Sequence, residues 1–219
     1  MEQKEKRGNP VFEFLEQIFN LMLANVLFLV CSLPVVTLGA AAAGLIQVAQ
    51  DQLYGEGEPV IRRFFRSFRR NFRQATGAWL LLAVFLGGMV CNALLVLTYL
   101  RGWMAQIGYL LVGILAAVGM AIASYLFPMI VRYQNPLRVH LNNSLILAVV
   151  KLPRTILLVL LNTALFGLLF FSMKVFVSTM IFWVILGFGF IAYSDERILR
   201  PVFREMEETD TVELLKTRK

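Results

Sequence analysis

The stretch from Gln74 to Leu100, QATGAWLLLAVFLGGMVCNALLVLTYL, contains no charged residue. A helix needs about 20 predominantly apolar residues to cross the roughly 30 Å hydrocarbon layer of a bilayer. This stretch is long enough and uniformly uncharged. A helix buried inside a soluble protein rarely combines this length with the absence of any charge. It therefore predicts a membrane-spanning helix.

The same pattern recurs along the chain. Four further stretches without a charged residue cover 17–50, 102–131, 155–173 and 175–194. Hydrophobic residues make up 58% of the 219 residues and charged residues 16%, whereas soluble domains carry roughly 25% charged residues. We therefore expect an all-α fold, a polytopic transmembrane helical bundle of about six spans, with five spans as the alternative.

The first uncharged region is too long for one straight span, and Pro34 lies near its middle. Proline removes a backbone donor and disfavours helix in the residue before it. We expect a helix break at Pro34, with one span over 12–33 and the next over 35–54. A single, kinked, unusually long helix is the alternative.

Lys and Arg are enriched in short cytoplasmic connections. Six arginines lie between Asp51 and Gln74 and four basic residues lie in the connection 132–154, whereas Arg101 stands alone in its turn. With six spans, the N-terminal segment 1–11 and the tail 195–219 are both cytoplasmic, and with five spans the N-terminus would lie outside, against this rule. The remaining predicted spans of this plasma-membrane protein are 75–100, 103–131, 155–173 and 175–194.

The segment 59–74 is predicted to be a separate amphipathic helix at the membrane interface. On a helical wheel of about 100° per residue its phenylalanines cluster on one arc, its arginines occupy another, and Phe64 at the edge of the apolar arc is the best candidate for a partner contact. Such a helix can rest at the headgroups of the anionic inner leaflet or bind a partner. The residues predicted for lipid or partner docking are Arg62, Arg63, Arg66, Arg69, Arg70, Arg73, Phe64, Phe65, Phe68 and Phe72.

Neutral amides are the main polar groups inside the predicted spans. Amides in lipid tend to bond with one another, so helix–helix contacts explain them, and a polar substrate pocket is the sharper alternative. The candidate intramembrane polar cluster comprises Asn20, Asn25, Gln47, Asn92 and Asn162.

The chemistry of an enzyme is missing from the sequence. No ionisable residue is expected deep in a span, and His140 is the single histidine, which leaves little from which to build a zinc site. We find no catalytic pair, metal cluster or phosphate-binding glycine loop, and we expect no catalytic residue, no metal and no cofactor. Nucleic acid is not expected as a partner, because the basic residues lie in the connections between spans.

Two segments resemble the YesL-like family of uncharacterised bacterial integral membrane proteins. They are Asn20–Asn25 followed by CSLPVVTLG at 31–39, and the arginine–phenylalanine segment ending FRRNFRQA at 68–75; LPRT at 152–155 is similar to the family's later part. Genes of this family often lie near genes for carbohydrate uptake. The resemblance therefore implies an accessory role beside a carbohydrate transporter, and it supplies no catalytic residue.

We expect a non-enzymatic membrane protein that is accessory to carbohydrate uptake and docks to lipid or a partner through its arginine–phenylalanine helix. Its partners would be membrane lipids and a carbohydrate transporter complex or another membrane protein. The alternative is a small transporter or facilitator for a neutral polar solute. The sequence leaves the oligomeric state open.

Overall fold

A computed structural model describes residues 10–54, 58–170 and 173–217, and their regular structure is helical. Residues 1–9 of the predicted N-terminal segment, residues 171–172 at the end of a predicted span and residues 218–219 of the tail lie outside this description. The helices are α1 (Pro10–Ser32), α2 (Leu38–Tyr54), α3 (Val60–Tyr99), α4 (Gly102–Arg132), α5 (Leu137–Val150), α6 (Leu152–Phe170), α7 (Met173–Phe182) and α8 (Phe188–Thr217). A 3-10 turn (Val35–Thr37) precedes α2 and a π-helical turn (Trp183–Gly187) joins α7 to α8. The expected helical bundle is confirmed.

α1 and α2 form an antiparallel hairpin around Pro34. The Thr37 hydroxyl donates to the Cys31 carbonyl (2.6 Å) beside the turn, and Gln52 donates to the Gln17 carbonyl (3.1 Å) at the other end. The structure therefore has two helices here and not one kinked helix.

α3 is one helix of 40 residues. The sequence predicted an interfacial helix over 59–74 and a separate span over 75–100, but no proline or other break divides them. At about 1.5 Å per residue the helix is about 60 Å long, roughly twice the hydrocarbon thickness. Its basic half (residues 60–74) is therefore collinear with its apolar half (residues 75–99) and cannot lie flat on a membrane that the apolar half crosses.

α2 packs against the basic half of α3 through its small residues. A Cβ added to Gly39 would lie 2.1 Å from the Ala75 carbonyl oxygen, and the Ser67 hydroxyl donates to the Ala43 carbonyl (2.9 Å). Glycine and alanine let two helix backbones approach this closely. α2 consequently lies inside the bundle, and most of its side chains are buried.

The two N-terminal hairpins end at different heights along α3. The Trp79 indole donates to the Val35 carbonyl (2.8 Å), which fixes the α1–α2 turn beside Trp79. α4 continues beyond that point, with Gly119 against Phe85 and Gly108 against Val96. Twenty residues separate Trp79 from Tyr99 at the end of α3, about 30 Å along a helix.

Four helical segments of the described residues are long and apolar enough to cross a membrane: Phe14–Ser32, α3, α4 and Lys174–Glu208. α5 and α6 together would make a fifth, although they meet at a bend of 101°. α2, predicted as a span over 35–54, has 17 residues, at the lower limit for a span, and is not among these candidates. The described chain therefore supplies four or five candidate spans, where the sequence predicted about six with five as the alternative.

α8 runs without a break through the predicted boundary between the last span and the tail at residue 195. Leu199, Val202 and Phe203 are fully buried and share a core cluster with residues of α4, α5 and α6. Their spacing places one face of α8 against the bundle for a little more than one turn. The first part of the predicted tail is thus an integral part of the fold.

Candidate functional site

The buried face of the basic half of α3 is not the phenylalanine arc expected from the helical wheel. Its buried residues are Val60, Arg63, Phe64, Ser67 and Asn71, and the Phe64 ring lies against Gly44. Ser67 and Asn71 are short enough for α2 to approach on this side, and Asn71 donates to the Ser67 hydroxyl (3.0 Å). Phe64 and Arg63, both predicted for docking, are therefore structural contacts with α2.

The outward face of the basic half carries an aromatic stripe beside an arginine stripe. Ile61, Phe65 and Phe72 are exposed and Phe68 is half-buried. Neighbouring rings are in contact, with centroids 6.4 Å apart for Phe65 and Phe68 and 5.6 Å apart for Phe68 and Phe72. The exposed arginines next to them are Arg62, Arg66, Arg69 and Arg73. Eight of the ten predicted docking residues thus avoid full burial, and seven of them are exposed.

Two concavities indent this outward face. One, of about 440 Å³, lies between Ile61, Phe65 and the arginines Arg62 and Arg66. Arg66 forms an ion pair there with Glu58. The face can therefore accept an apolar side chain and a carboxylate side by side.

The other concavity, of about 770 Å³, is a basic groove between α3 and the segment that connects α4 to α5. The residues lining it are Arg69, Arg70, Asn71, Arg73, Gln74, Tyr133, Gln134, Asn135, Pro136 and Leu137. Gln74 donates to the Asn135 carbonyl (2.8 Å) and Arg70 donates to the Val131 carbonyl (2.8 Å). These two bonds hold the walls of the groove together.

Ionisable side chains are buried behind the basic half, which the sequence analysis did not foresee. Arg63 pairs with Asp51 of α2 (Nη1–Oδ2, 3.8 Å), and Gln47 donates to the same carboxylate (2.7 Å). Gln50, about one turn along α2 from Gln47, donates to Glu196 of α8 (2.9 Å). The helical spacing of Gln47, Gln50 and Asp51 was the available signal, because it places three polar side chains on neighbouring parts of α2.

Arg132 at the end of α4 connects this polar layer to α8. It donates to the Tyr54 hydroxyl (2.8 Å), pairs with Glu207 (3.3 Å), and lies over the Phe203 ring at 4.5 Å. An open surface concavity of about 300 Å³ lies in the same region and is lined by residues of α2, α3, α4 and α8. The sequence analysis used Arg132 only as a marker of topology.

The five amides predicted as a polar cluster do not come together. Asn25 donates to the Trp183 and Val184 carbonyls (3.1 and 2.7 Å) and accepts from the Gly189 amide (2.9 Å), so it binds backbone groups of the π-helical turn. Asn162 donates to Asp195 (3.0 Å), Gln47 lies in the Asp51 pair, and Asn92 donates to Gly88 of its own helix on an exposed face. Asn20 is half-buried on α1.

Within the part of the chain that the structure describes, no group of three or more His, Cys, Asp or Glu residues could hold a metal ion. What the site offers is a surface for recognition, consisting of the aromatic stripe, the arginine stripe and the basic groove.

Comparison with known families gives one match. The model of a family described as "Protein of unknown function, DUF624" matches residues 21–93, which run from α1 through α2 and most of α3. No curated protein and no solved structure matches the chain. The match is consistent with an uncharacterised family, and it covers the α1–α2 hairpin together with the basic half of α3.

Proposed function

We propose that this chain is a non-enzymatic integral membrane protein, accessory to carbohydrate uptake, that binds a protein partner through the outward face of the basic half of α3. The observation that carries the proposal is that aromatic and arginine side chains are exposed on a helix collinear with a candidate span. The excess of arginine in this segment supports a cytoplasmic location for it, in the plasma membrane and with both termini on the same side.

The geometry of α3 favours a protein over lipid as the occupant of this face. Phe65 lies ten residues before Ala75, about 15 Å along the helix, and Ile61 lies about 21 Å away. The headgroup layer is only about 5–8 Å thick on each side of the hydrocarbon. The far end of the stripe therefore extends past the headgroups, where exposed aromatic rings gain most from a protein surface.

The partner segment would present carboxylates beside apolar side chains. Arg62 and Arg66 flank the concavity at Ile61 and Phe65, and aromatic and arginine side chains are enriched among interface residues that dominate binding. The link to carbohydrate uptake is supported by the resemblance of residues 20–39 and 68–75 to the YesL-like family. A facilitator for a neutral polar solute has less support, because the amides that would line its path lie apart.

Site-specific photocrosslinking in cells tests the proposal. A photoreactive phenylalanine analogue at Phe65 should give a discrete protein adduct that is lost in Arg62→Glu/Arg66→Glu, and mass spectrometry should identify a component of a solute-uptake system. The matched control carries the probe at Val84, which is 76% exposed on the apolar half of α3 and should react with lipid.

Uptake of a labelled oligosaccharide supplies the functional arm. A deletion strain should regain uptake with the wild-type chain and not with the Phe65→Ser/Arg62→Glu variant, provided both reach the membrane at equal levels. Lipid adducts alone at position 65 would assign the face to headgroups, and normal uptake in the deletion strain would exclude the role in carbohydrate uptake.

A further inference from the structure

The basic groove between α3 and the α4–α5 connection concentrates positive charge without a counter-charge. Three arginines line it, and no acidic side chain does. The arginine ion pairs found among the described residues lie elsewhere, at Arg63, Arg66 and Arg132. Arg69 and Arg73 line the groove from exposed positions on neighbouring turns of α3.

The arrangement suits an anion that has several acceptor oxygens. Guanidinium groups bind phosphate oxygens through paired N–H donors, and this geometry distinguishes them from lysine. Arg70 is already oriented by its bonds to the Val131 carbonyl and to Gln47 (2.8 and 3.1 Å). Side-chain ordering that is complete before the ligand arrives lowers the entropic cost of binding.

The size and position of the groove limit which ligands it can bind. A volume of about 770 Å³ exceeds what a lone phosphate ion needs and admits a phosphate ester with its organic substituent. Arg73 lies six residues before Trp79, about 9 Å along α3, and Trp is enriched at the boundary between hydrocarbon and headgroups. An arginine side chain can extend along the helix toward the interface, so the guanidinium of Arg73 can reach the layer of lipid phosphates.

We propose that this groove is a binding site for a phosphate ester, held by Arg69, Arg70 and Arg73. An anionic phospholipid headgroup and a soluble phosphate ester share this chemistry. The groove shares Arg69 with the Ile61–Arg66 concavity of the proposed partner surface, whereas Arg73 and the α4–α5 connection line the groove and not that concavity.

Binding to the full-length protein in non-ionic detergent tests the site by native mass spectrometry. The probes are phosphatidylglycerol, zwitterionic phosphatidylcholine and glycerol 3-phosphate. Phosphatidylglycerol should bind more tightly than phosphatidylcholine, and Arg69→Gln/Arg73→Gln should weaken it by about tenfold to thirtyfold, since each arginine near an anionic surface contributes about 1 kcal/mol. Arg70 is left unchanged because it holds the groove together.

The matched control is Arg62→Gln/Arg66→Gln, which removes the same charge from the same helix outside the groove and should bind within about twofold of wild type if the contacts are local. Binding of glycerol 3-phosphate without phosphatidylglycerol would identify a soluble ester as the ligand. Equal binding by the groove variant and wild type, equal loss in the control, equal binding of phosphatidylcholine, or binding of none of the probes would overturn the proposal.

Discussion

Asp51 of α2 and Arg63 of α3 form a buried ion pair, with 3.8 Å between Oδ2 and Nη1 and side chains that are 8% and 4% exposed. Gln47 donates to the other carboxylate oxygen of Asp51 (2.7 Å). The pair fixes the end of α2 against the start of α3, opposite the close contact at Gly39.

Removal of one partner should destabilise the protein strongly. Asp51→Ala removes the carboxylate that pairs with the buried guanidinium of Arg63, and we expect the free energy of unfolding to fall by about 3–5 kcal/mol. Asp51→Leu/Arg63→Met removes both charges and should recover most of that loss. Denaturant titration in detergent measures both variants, and a double variant as unstable as the single one would show that the charges themselves are needed.

The contact at Gly39 should tolerate no side chain. Gly39→Ala would place a Cβ 2.1 Å from the Ala75 carbonyl, and the forced separation of α2 and α3 should lower thermal stability by about 1–3 kcal/mol. Gly113→Ala is the control, because nothing lies within 4 Å of a Cβ there and alanine favours helix over glycine by about 1 kcal/mol. If Gly39→Ala unfolded at the same temperature as Gly113→Ala, the close helix contact would be wrong.

Asn25 and Asn92, which were predicted to belong to one polar cluster, should respond very differently to substitution. Asn25→Leu removes the partner of the Trp183 and Val184 carbonyls and of the Gly189 amide. The free energy of unfolding should fall by about 1–3 kcal/mol for a buried group left unsatisfied. Asn92→Leu removes one bond within its own helix on an exposed face, and its unfolding should change by less than about 0.5 kcal/mol. Equal losses for the two variants would contradict the structural role assigned to Asn25.

Substitutions at the neighbouring residues Phe64 and Phe65 should distinguish an effect on stability from an effect on partner binding. Phe64 is fully buried, so Phe64→Ala should cost about 3–5 kcal/mol, whereas Phe65→Ala at an exposed position should change stability by less than about 1 kcal/mol. Only Phe65→Ala should yield a stable protein that no longer crosslinks to its partner through a probe at Ile61. Retention of the adduct in the Phe65→Ala variant would show that the aromatic stripe is not part of the interface.

The turns of the two N-terminal hairpins should be accessible from opposite faces of the membrane. Six spans with a cytoplasmic N-terminus would place both turns outside, but about 30 Å of α3 separates Trp79, which contacts Val35, from the α3–α4 turn. In this arrangement α1 does not cross the membrane, although its length and composition would allow it to. In a Cys31→Ala/Cys91→Ala background, an impermeant maleimide should label Trp103→Cys and Val36→Cys from different sides, in intact cells and in inverted vesicles. Labelling of both cysteines from the same side would instead show that both hairpins cross the membrane.

The helical class, the break near Pro34 and the uncharged stretches could be predicted from the sequence, because each depends on local composition and backbone chemistry. An apolar run and the missing N–H of proline determine the structure of the residues in which they occur and of their close neighbours in the sequence. The hydrophobic pattern of 60–74 also identified the segment that carries the exposed arginines.

The tertiary structure alone decided which face of that segment is buried. A helical wheel assumes that the apolar arc turns inward, but α2 approaches on the side of Ser67, which bonds to Ala43, and of Ala75, which lies against Gly39. Arg63 is buried opposite Asp51, and Glu196 is buried with a bond from Gln50. These partners are distant in sequence, so their pairing and the different heights of the two hairpins arise from helix packing and not from any local pattern.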